Sequence, residues 1–171
     1  MRLWIHCIFC LPLVLATSIA LADTTPADDA GLVKEAYNTW ITTVESAKGN
    51  ATEVAALYAP NAVLLPTLSP QIKIKLSNDT SQELYDFTSS DIRAYFVEFT
   101  KLKDLKAQTE KLYTQVFNDV AVNTGLYTFE YLDDKGNKVD VPARFTFVYE
   151  KINGNWLIIN HHSSYLPDGH H

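Results

Sequence analysis

The sequence predicts an α+β fold in which early helices cover one face of a curved antiparallel sheet. Two segments before residue 103 carry apolar residues at helical spacing, three and four positions apart. From Leu105 onward the period changes to two, and the segments become long and rich in aromatic residues. Because the helical segments come first and consecutive strands follow, the helices should lie together on one face of the sheet. Long strands with bulky side chains should curl around the first helix and leave a conical pocket at the open end.

Residues 1–22 have the pattern of a secretory signal peptide that is removed from the mature protein. The chain opens with Met1-Arg2, continues into an apolar run over residues 11–21, and carries small residues at Ala20 and Ala22. This order matches the charged, apolar and cleavage regions of an export signal, and the run is too short for a stable membrane span. We therefore expect a mature protein that begins near Asp23 and is exported to the periplasm or outside the cell.

The mature chain is expected to form a single domain, since about 150 residues can bury one good core. The predicted division is a flexible lead-in over residues 23–27, one domain over residues 28–167 and a tail over residues 168–171.

Cysteine content and charge exclude several classes of function. Cys7 and Cys10 both lie in the predicted signal peptide, so the mature protein should have no disulfide, thiol nucleophile or cysteine-based metal site. The formal net charge of −6 argues against nucleic acid and, after signal cleavage, against membranes as partners. We expect no cofactor.

The first helix is predicted from an amphipathic segment that Asp28 or Asp29 can cap. Gly49-Asn50 is a suitable stop, a short second helix should follow over residues 52–59, and a compact apolar strand over residues 62–65. The buried stripe of the first helix comprises Val33, Ala36, Tyr37, Trp40, Ile41 and Val44.

A third helix and further strands follow. Residues 71–76 alternate in polarity, which predicts a half-exposed strand. Thr88-Ser-Ser-Asp91 resembles a capping box and should open a helix that buries Ile92, Tyr95, Phe96, Phe99 and Leu102. Four strands are then predicted over residues 107–117, 120–131, 139–150 and 156–162. Turn-forming residues separate them, and Asn153-Gly154 is the strongest hairpin signal among these.

Four segments carry a resemblance to a known family: LYAPNAVLLPTLS (57–69), IRAYFVEFTKLK (92–103), VAVNTGLYTFEY (120–131) and VPARFTFVYEKINGNWLIINHHSS (141–164). They resemble the NTF2-like superfamily, of the SnoaL-like, DUF4440 type. Within it they are most similar to secreted bacterial relatives of the calcium/calmodulin-dependent protein kinase II association domain. The resemblance implies an NTF2-like cone, and it implies function less directly, since this fold hosts isomerases, dehydratases and assembly domains. An exported chain is not expected to meet calmodulin.

Strand alternation separates the two adjacent histidines near the end of the chain. Neighbouring residues on a regular strand point to opposite faces, so His161 and His162 should not share a metal ion. No clean set of three or four ligands occurs elsewhere, and no metal is expected. One face of the last strand should carry Leu157, Ile159, His161 and Ser163, and the other Trp156, Ile158, Asn160 and His162.

The resemblance indicates which face looks into the cone. Laid on the association-domain pattern, His161 and Ser163 point inward, and Arg93 occupies a pocket position on the third helix. Positions that hold arginines in the animal association domain correspond here to Tyr127, Phe147 and Ser163, so the pocket should be apolar and suit a small, partly hydrophobic ligand. The expected lining comprises Tyr37, Trp40, Arg93, Tyr127, Phe147, Tyr149, His161 and Ser163.

The outer face of the sheet is predicted to be an interface between copies of the chain. An apolar sheet face on an acidic protein usually meets a partner, so a homodimer or larger ring is expected. Its expected contact residues are Arg144, Thr146, Val148, Trp156, Ile158 and His162.

Two functions from different classes remain open. The first is an exported, non-catalytic module that self-assembles and binds a small ligand in its cone. The second is a small-molecule lyase or isomerase of the SnoaL-like type, in which His161 is the acid or base and Arg93 orients an anionic group. Against the enzyme, the inward strand positions carry no carboxylate that could act as a base in an apolar site. Aromatic residues in a curled sheet are more often core filling than pocket wall, and a histidine near a strand end is more often a hydrogen-bonded structural residue than a base.

Overall fold

The computed structural model describes residues 26–67, 74–75, 81–82 and 87–167. The predicted signal peptide, the tail and most of the strand expected over residues 71–76 lie outside these described residues. The helices are α1 (Pro26–Ser46), α2 (Thr52–Ala56) and α3 (Ser89–Phe99). The strands are β1 (Tyr58–Leu65), β2 (Ile74–Lys75), β3 (Ser81–Gln82), β4 (Phe87–Thr88), β5 (Lys103–Phe117), β6 (Val120–Leu132), β7 (Lys138–Ile152) and β8 (Asn155–Tyr165). None of the described helices is long and apolar enough to cross a membrane.

A six-stranded sheet in the order β4-β1-β8-β7-β6-β5 forms the body of the fold, and β2 pairs with β3 separately. The strands β5 to β8 run as the predicted antiparallel meander. Residues with positive φ make the tight connections, including Asn118 at +53° and Asn153 with Gly154 at +51° and +81°. The predicted α+β class with a curved sheet wrapped on N-terminal helices is confirmed.

The strand β1 adds to the meander in a way that the sequence pattern does not reveal. It runs parallel to β8, with Leu64 opposite His161, and antiparallel to β4. It also begins at Tyr58, because α2 ends at Ala56 and not before Pro60 as expected. This pairing brings Tyr58 beside the last strand.

The helix α1 contributes a buried stripe of side chains to the core. It begins at Pro26, inside the predicted lead-in, because proline suits the first helical position and Asp28 and Asp29 lie in the first turn, not at the cap. Its stripe of Val33, Tyr37, Trp40 and Val44 is buried. The Tyr37 ring stacks on Phe145 with centroids 5.2 Å apart, and the Trp40 ring meets Phe147 edge-on at 4.9 Å. The helix therefore packs on the inner face of the sheet through aromatic contacts.

An ion pair ties the start of α1 to the far end of β7. The Lys151 Nζ lies 2.8 Å from the buried Asp29 carboxylate and 5.6 Å from the centre of the Trp156 ring. The carboxylate also sits in the first turn of α1, where the helix dipole favours a negative charge.

A bulge and a glycine bend the sheet between β5 and β6. Thr109 pairs with Tyr127, but Lys111 pairs with Leu126, so Glu110 is an extra residue in β5. A Cβ on Gly125 would lie 1.9 Å from the Lys111 carbonyl oxygen and 2.7 Å from the Phe145 ring. Only glycine lets the two backbones approach this closely at the bend.

A second bulge in β8 corrects the predicted division of that strand. Val148 pairs with Asn160 but Tyr149 pairs with Ile158, so Ile159 is the extra residue and the alternation changes phase there. Trp156 and Ile158 are consequently buried in the core, at 8% and 1% exposure, and their predicted place on the outer face is wrong. Leu157 and Ile159, which were expected to point inward, are only half-buried.

We predict that Gly125→Ala lowers the free energy of unfolding by about 1–3 kcal/mol, because the added methyl group must displace the Lys111 backbone. Chemical denaturation measures the loss. The matched control is Gly31→Ala in α1, where nothing lies within 4 Å of an added Cβ. That variant should gain about 0.5–1 kcal/mol from its higher helix propensity. Equal stability of Gly125→Ala and the wild type would contradict this role of the glycine.

Candidate functional site

A cavity opens between the inner face of the sheet, α1, α3 and the end of β1. Its cavity volume is about 20 Å³, and the depression measures about 350 Å³ when its open mouth is included. The described lining is mostly apolar. The lining residues are Trp40, Leu64, Pro66, Thr67, Tyr95, Phe96, Phe99, Tyr127, Phe129, Val141, Ala143, His161 and Ser163.

His161 is a buried polar residue of this lining, with 3% of its surface exposed. Its ring stacks on Phe147 with centroids 3.9 Å apart, and the Trp40 ring meets it edge-on at 5.1 Å. The position follows from the β8 bulge, which returns His161 to the inner face after the buried Ile158. His162, its neighbour, is exposed on the outer face.

A chain of two hydrogen bonds fixes the His161 ring. Trp40 Nε1 donates to the Tyr58 hydroxyl at 2.9 Å, and the Tyr58 hydroxyl lies 2.9 Å from His161 Nδ1. The Tyr58 oxygen accepts from Trp40, and its own proton has no other acceptor among the described residues, so Tyr58 donates to Nδ1. The bare nitrogen is therefore Nδ1, and the proton of the neutral ring is on Nε2.

Burial keeps this imidazole neutral. Desolvation, followed by the charge of His162, lowers the pKa of His161 from 6.5 to about 3. Burial also raises the pKa of Tyr58 well above its ordinary value, so the phenol keeps the proton that it donates. The His161 Nε2–H is buried and has no hydrogen-bond partner among the described residues.

Three hydroxyl groups form a second polar cluster in the cavity. Tyr127 donates to Ser163 Oγ at 2.7 Å, and Ser163 Oγ makes a short hydrogen bond with Thr67 Oγ1. Burial raises the pKa of Tyr127, which keeps its hydroxyl protonated as the donor. These groups satisfy one another, so the cluster is less in need of an external partner than His161 Nε2.

The structure brings four of the predicted pocket residues into the cavity wall, namely Trp40, Tyr127, His161 and Ser163. The other aromatic residues, Tyr37, Phe147 and Tyr149, are buried in the core behind this wall. Their expected place in the lining is therefore wrong. Phe147, for example, packs against two wall residues, with its ring centroid 4.9 Å from that of Trp40 and 3.9 Å from that of His161.

Arg93 is not in the cavity wall either, which corrects its predicted role. The helix α3 buries Ile92, Tyr95, Phe96 and Phe99, so Arg93 points away from the core. It is exposed and donates to Thr52 Oγ1 on α2 at 3.4 Å. Among the described residues that line the cavity, none is charged.

Sequence reasoning missed Tyr58 and Thr67. Tyr58 lies inside the segment that the sequence predicts as the second helix, and only its pairing with β8 makes it a partner of His161. The available signal was a tyrosine and a threonine on either side of a short apolar strand. This signal does not reveal that β8 is the neighbour of that strand. Among the described residues, no group of three or more His, Cys, Asp and Glu is arranged to hold a metal ion.

The outer face of the sheet carries the remaining predicted contact residues. Arg144 and His162 are exposed, and Thr146 and Val148 are half-buried. Two aromatic side chains of β5 share this face, Tyr113 at 63% and Phe117 at 58% exposure. Cross-strand pairing joins Tyr113 through Thr124 and Thr146 to His162 in one continuous row.

Comparison with known proteins identifies chains of similar fold. A solved structure of a candidate calcium/calmodulin dependent protein kinase II association domain from Xanthomonas campestris is 38% identical, with a TM-score of 0.64 over 87% of this chain and 93% of that chain. The association domain of CaMKII from C. elegans is 10% identical, with a TM-score of 0.61 over 81% and 97%. A candidate NTF2-like dehydratase from Streptomyces avermitilis is 14% identical, with a TM-score of 0.66 over 83% and 99%. No match was found among curated proteins.

The two distant structures show the fold alone, which is the NTF2-like cone. The profile of the calcium/calmodulin dependent protein kinase II association domain matches residues 32–167, nearly all of the described chain. The chain therefore belongs to the calcium/calmodulin dependent protein kinase II association domain family.

Proposed function

We propose that this chain is an exported, non-catalytic association module, which assembles with copies of itself through the outer face of its sheet and holds a small ligand in its cone. The observation that carries the proposal is the exposed aromatic surface of that outer face. Tyr113 and Phe117 are more than half exposed, and Val120 beside Phe117 is 38% exposed. Large apolar side chains grouped on one side of a sheet commonly mark a protein contact.

The family supports self-assembly as the use of this surface. Both the family and its C. elegans member are association domains by name. A symmetric contact needs a self-complementary patch. The outer face offers apolar rings on β5 together with Arg144 on β7 and His162 on β8, two and three strands away in the same sheet. After the correction of Trp156 and Ile158, the proposed contact residues are Arg144, Thr146, Val148 and His162, together with Tyr113 and Phe117.

Three features of the cavity argue against the alternative lyase or isomerase. His161 Nδ1 is held by Tyr58, and Nε2 already carries a proton, so neither nitrogen is ready to accept one from a substrate. The low pKa of His161 disfavours the imidazolium that such a base would become. Arg93, which was to orient an anionic group, is exposed outside the cavity.

We expect the protein to sediment as a dimer or larger ring at about tens of micromolar, the range in which a standard interface holds. The double variant Tyr113→Glu/Phe117→Glu should shift it toward the monomer, because two charges would be brought into the contact. Tyr165→Glu is the control, since Tyr165 is also an exposed aromatic, at 45%, and is not part of this surface. A monomeric wild type, or a double variant with unchanged mass, would contradict assembly through the outer face.

Export rests on the pattern of residues 1–22. Mass spectrometry of protein recovered from outside the cytoplasm should give a chain that begins near Asp23, because small residues precede it at the cleavage positions. Recovery of the chain with Met1 to Ala22 intact would overturn cleavage of this segment.

A further inference from the structure

We propose that the cone takes an uncharged, flat, mostly apolar molecule with one hydrogen-bond acceptor, and that the acceptor binds His161 Nε2–H. The inference rests on the ligand-binding part of the proposed function and specifies the chemical class of the ligand. An aromatic ketone is the simplest example of this class.

The donor is fixed by the protein before any ligand arrives. His161 lines the cavity, its Nδ1 is occupied by Tyr58, and its Nε2 has no partner among the described residues. A buried donor without a partner costs free energy, and an incoming acceptor recovers that cost. Since Tyr58 holds the tautomer and the Phe147 ring holds the plane, the donor is already oriented.

The lining selects for an uncharged ligand. None of the described lining residues is Asp, Glu, Lys or Arg, and Arg93 lies outside. A carboxylate placed here would lose its hydration without gaining a cation, which is far more costly than burying a carbonyl group. The low pKa of the His161 imidazole also prevents it from serving as that cation near neutral pH.

The three hydroxyl groups of the cavity do not need a hydrogen-bond partner from the ligand. Tyr127, Ser163 and Thr67 already hydrogen-bond to one another. One acceptor atom on the ligand is therefore enough to pair with His161 Nε2–H. Additional polar groups on the ligand would lose their hydration without gaining a hydrogen bond.

The shape of the wall favours a flat ring. Trp40, Phe96, Phe99 and Phe129 present rings at steep angles to one another, with Phe99 and Phe129 centroids 5.1 Å apart and Trp40 and Phe129 6.2 Å apart. An aromatic ligand can extend this edge-to-face arrangement. The cavity volume is only about 20 Å³, so a ring must enter from the open mouth and move wall side chains apart. Affinity should accordingly be modest.

Three probes of nearly equal shape separate the possibilities: acetophenone, α-methylstyrene and benzoate. Acetophenone has the carbonyl acceptor, α-methylstyrene replaces that oxygen by a methylene group, and benzoate adds a charge. Titration into the ¹⁵N-labelled wild-type protein, followed by amide shifts of cavity residues, gives each dissociation constant. We expect acetophenone to bind about tenfold more tightly than α-methylstyrene, the effect of one hydrogen bond, and at least about tenfold more tightly than benzoate.

Two variants assign the donor. His161→Phe should abolish the preference for acetophenone over α-methylstyrene, and His162→Gln on the outer face should leave it unchanged. Tyr58→Phe keeps His161 but removes the hydroxyl that fixes its tautomer. The preference for acetophenone over α-methylstyrene should therefore become smaller in this variant, which tests the donor even if His161→Phe fails to fold.

Several results would overturn the inference. Equal binding of acetophenone and α-methylstyrene removes the acceptor requirement, and tighter binding of benzoate reverses the charge requirement while leaving a ligand-binding cone. If none of the three probes shifts a cavity resonance, both this inference and the ligand-binding part of the proposed function fall. Assembly is tested separately by the sedimentation of the Tyr113→Glu/Phe117→Glu variant.

Discussion

The hydrogen-bond chain from Trp40 through Tyr58 to His161 is the constraint on which the site depends. It connects α1 and β1 to β8, which lies about a hundred residues further along the sequence, through two buried bonds of 2.9 Å. Tyr58 can make both bonds only if β1 lies parallel beside β8, as the pairing of Leu64 with His161 requires. Buried hydrogen-bonded groups are costly to separate, so the chain fixes the position of the helix relative to the sheet as well as the proton on His161.

The curvature of the sheet creates the space that the hydrogen bonds between Trp40, Tyr58 and His161 occupy. The Glu110 bulge with Gly125 bends β5 and β6, and the Ile159 bulge changes the phase of β8. Bulges increase local twist and redirect side chains. In this protein the second bulge allows Ile158 and His161 to point to the same side, although they are three residues apart. A regular strand would have placed one of them on the outer face.

The fold could be predicted from the sequence because its strongest signals are local. The stripe of α1 and the turns at Asn118-Asp119 and Asn153-Gly154 each identify an element without knowledge of its neighbours. The bulge in β8 could not be predicted, because four apolar residues in succession, Trp156 to Ile159, do not define which two face the core. Because of this ambiguity, Trp156 and Ile158 were predicted on the outer face although they are buried in the core.

The site was predicted only in part for a similar reason. Adjacent histidines on opposite faces follow from alternation alone, and the structure places His161 inside and His162 outside. Tyr58 depends on a parallel pairing between residues about a hundred positions apart, which no short pattern encodes. Arg93 was assigned from the family pattern, whereas the burial of Ile92, Tyr95, Phe96 and Phe99 turns it outward.

The protonation state of His161 is the central claim, and ¹⁵N NMR of the histidine side chains tests it most directly. The account predicts one imidazole with a bare Nδ1 and a protonated Nε2 at about pH 7, unchanged down to about pH 5, because its pKa is lowered from 6.5 to about 3. That signal should vanish in His161→Gln and persist in His162→Gln. An Nδ1–H tautomer assigned to His161, or an imidazolium that forms as the pH falls through about 6.5, would contradict the account.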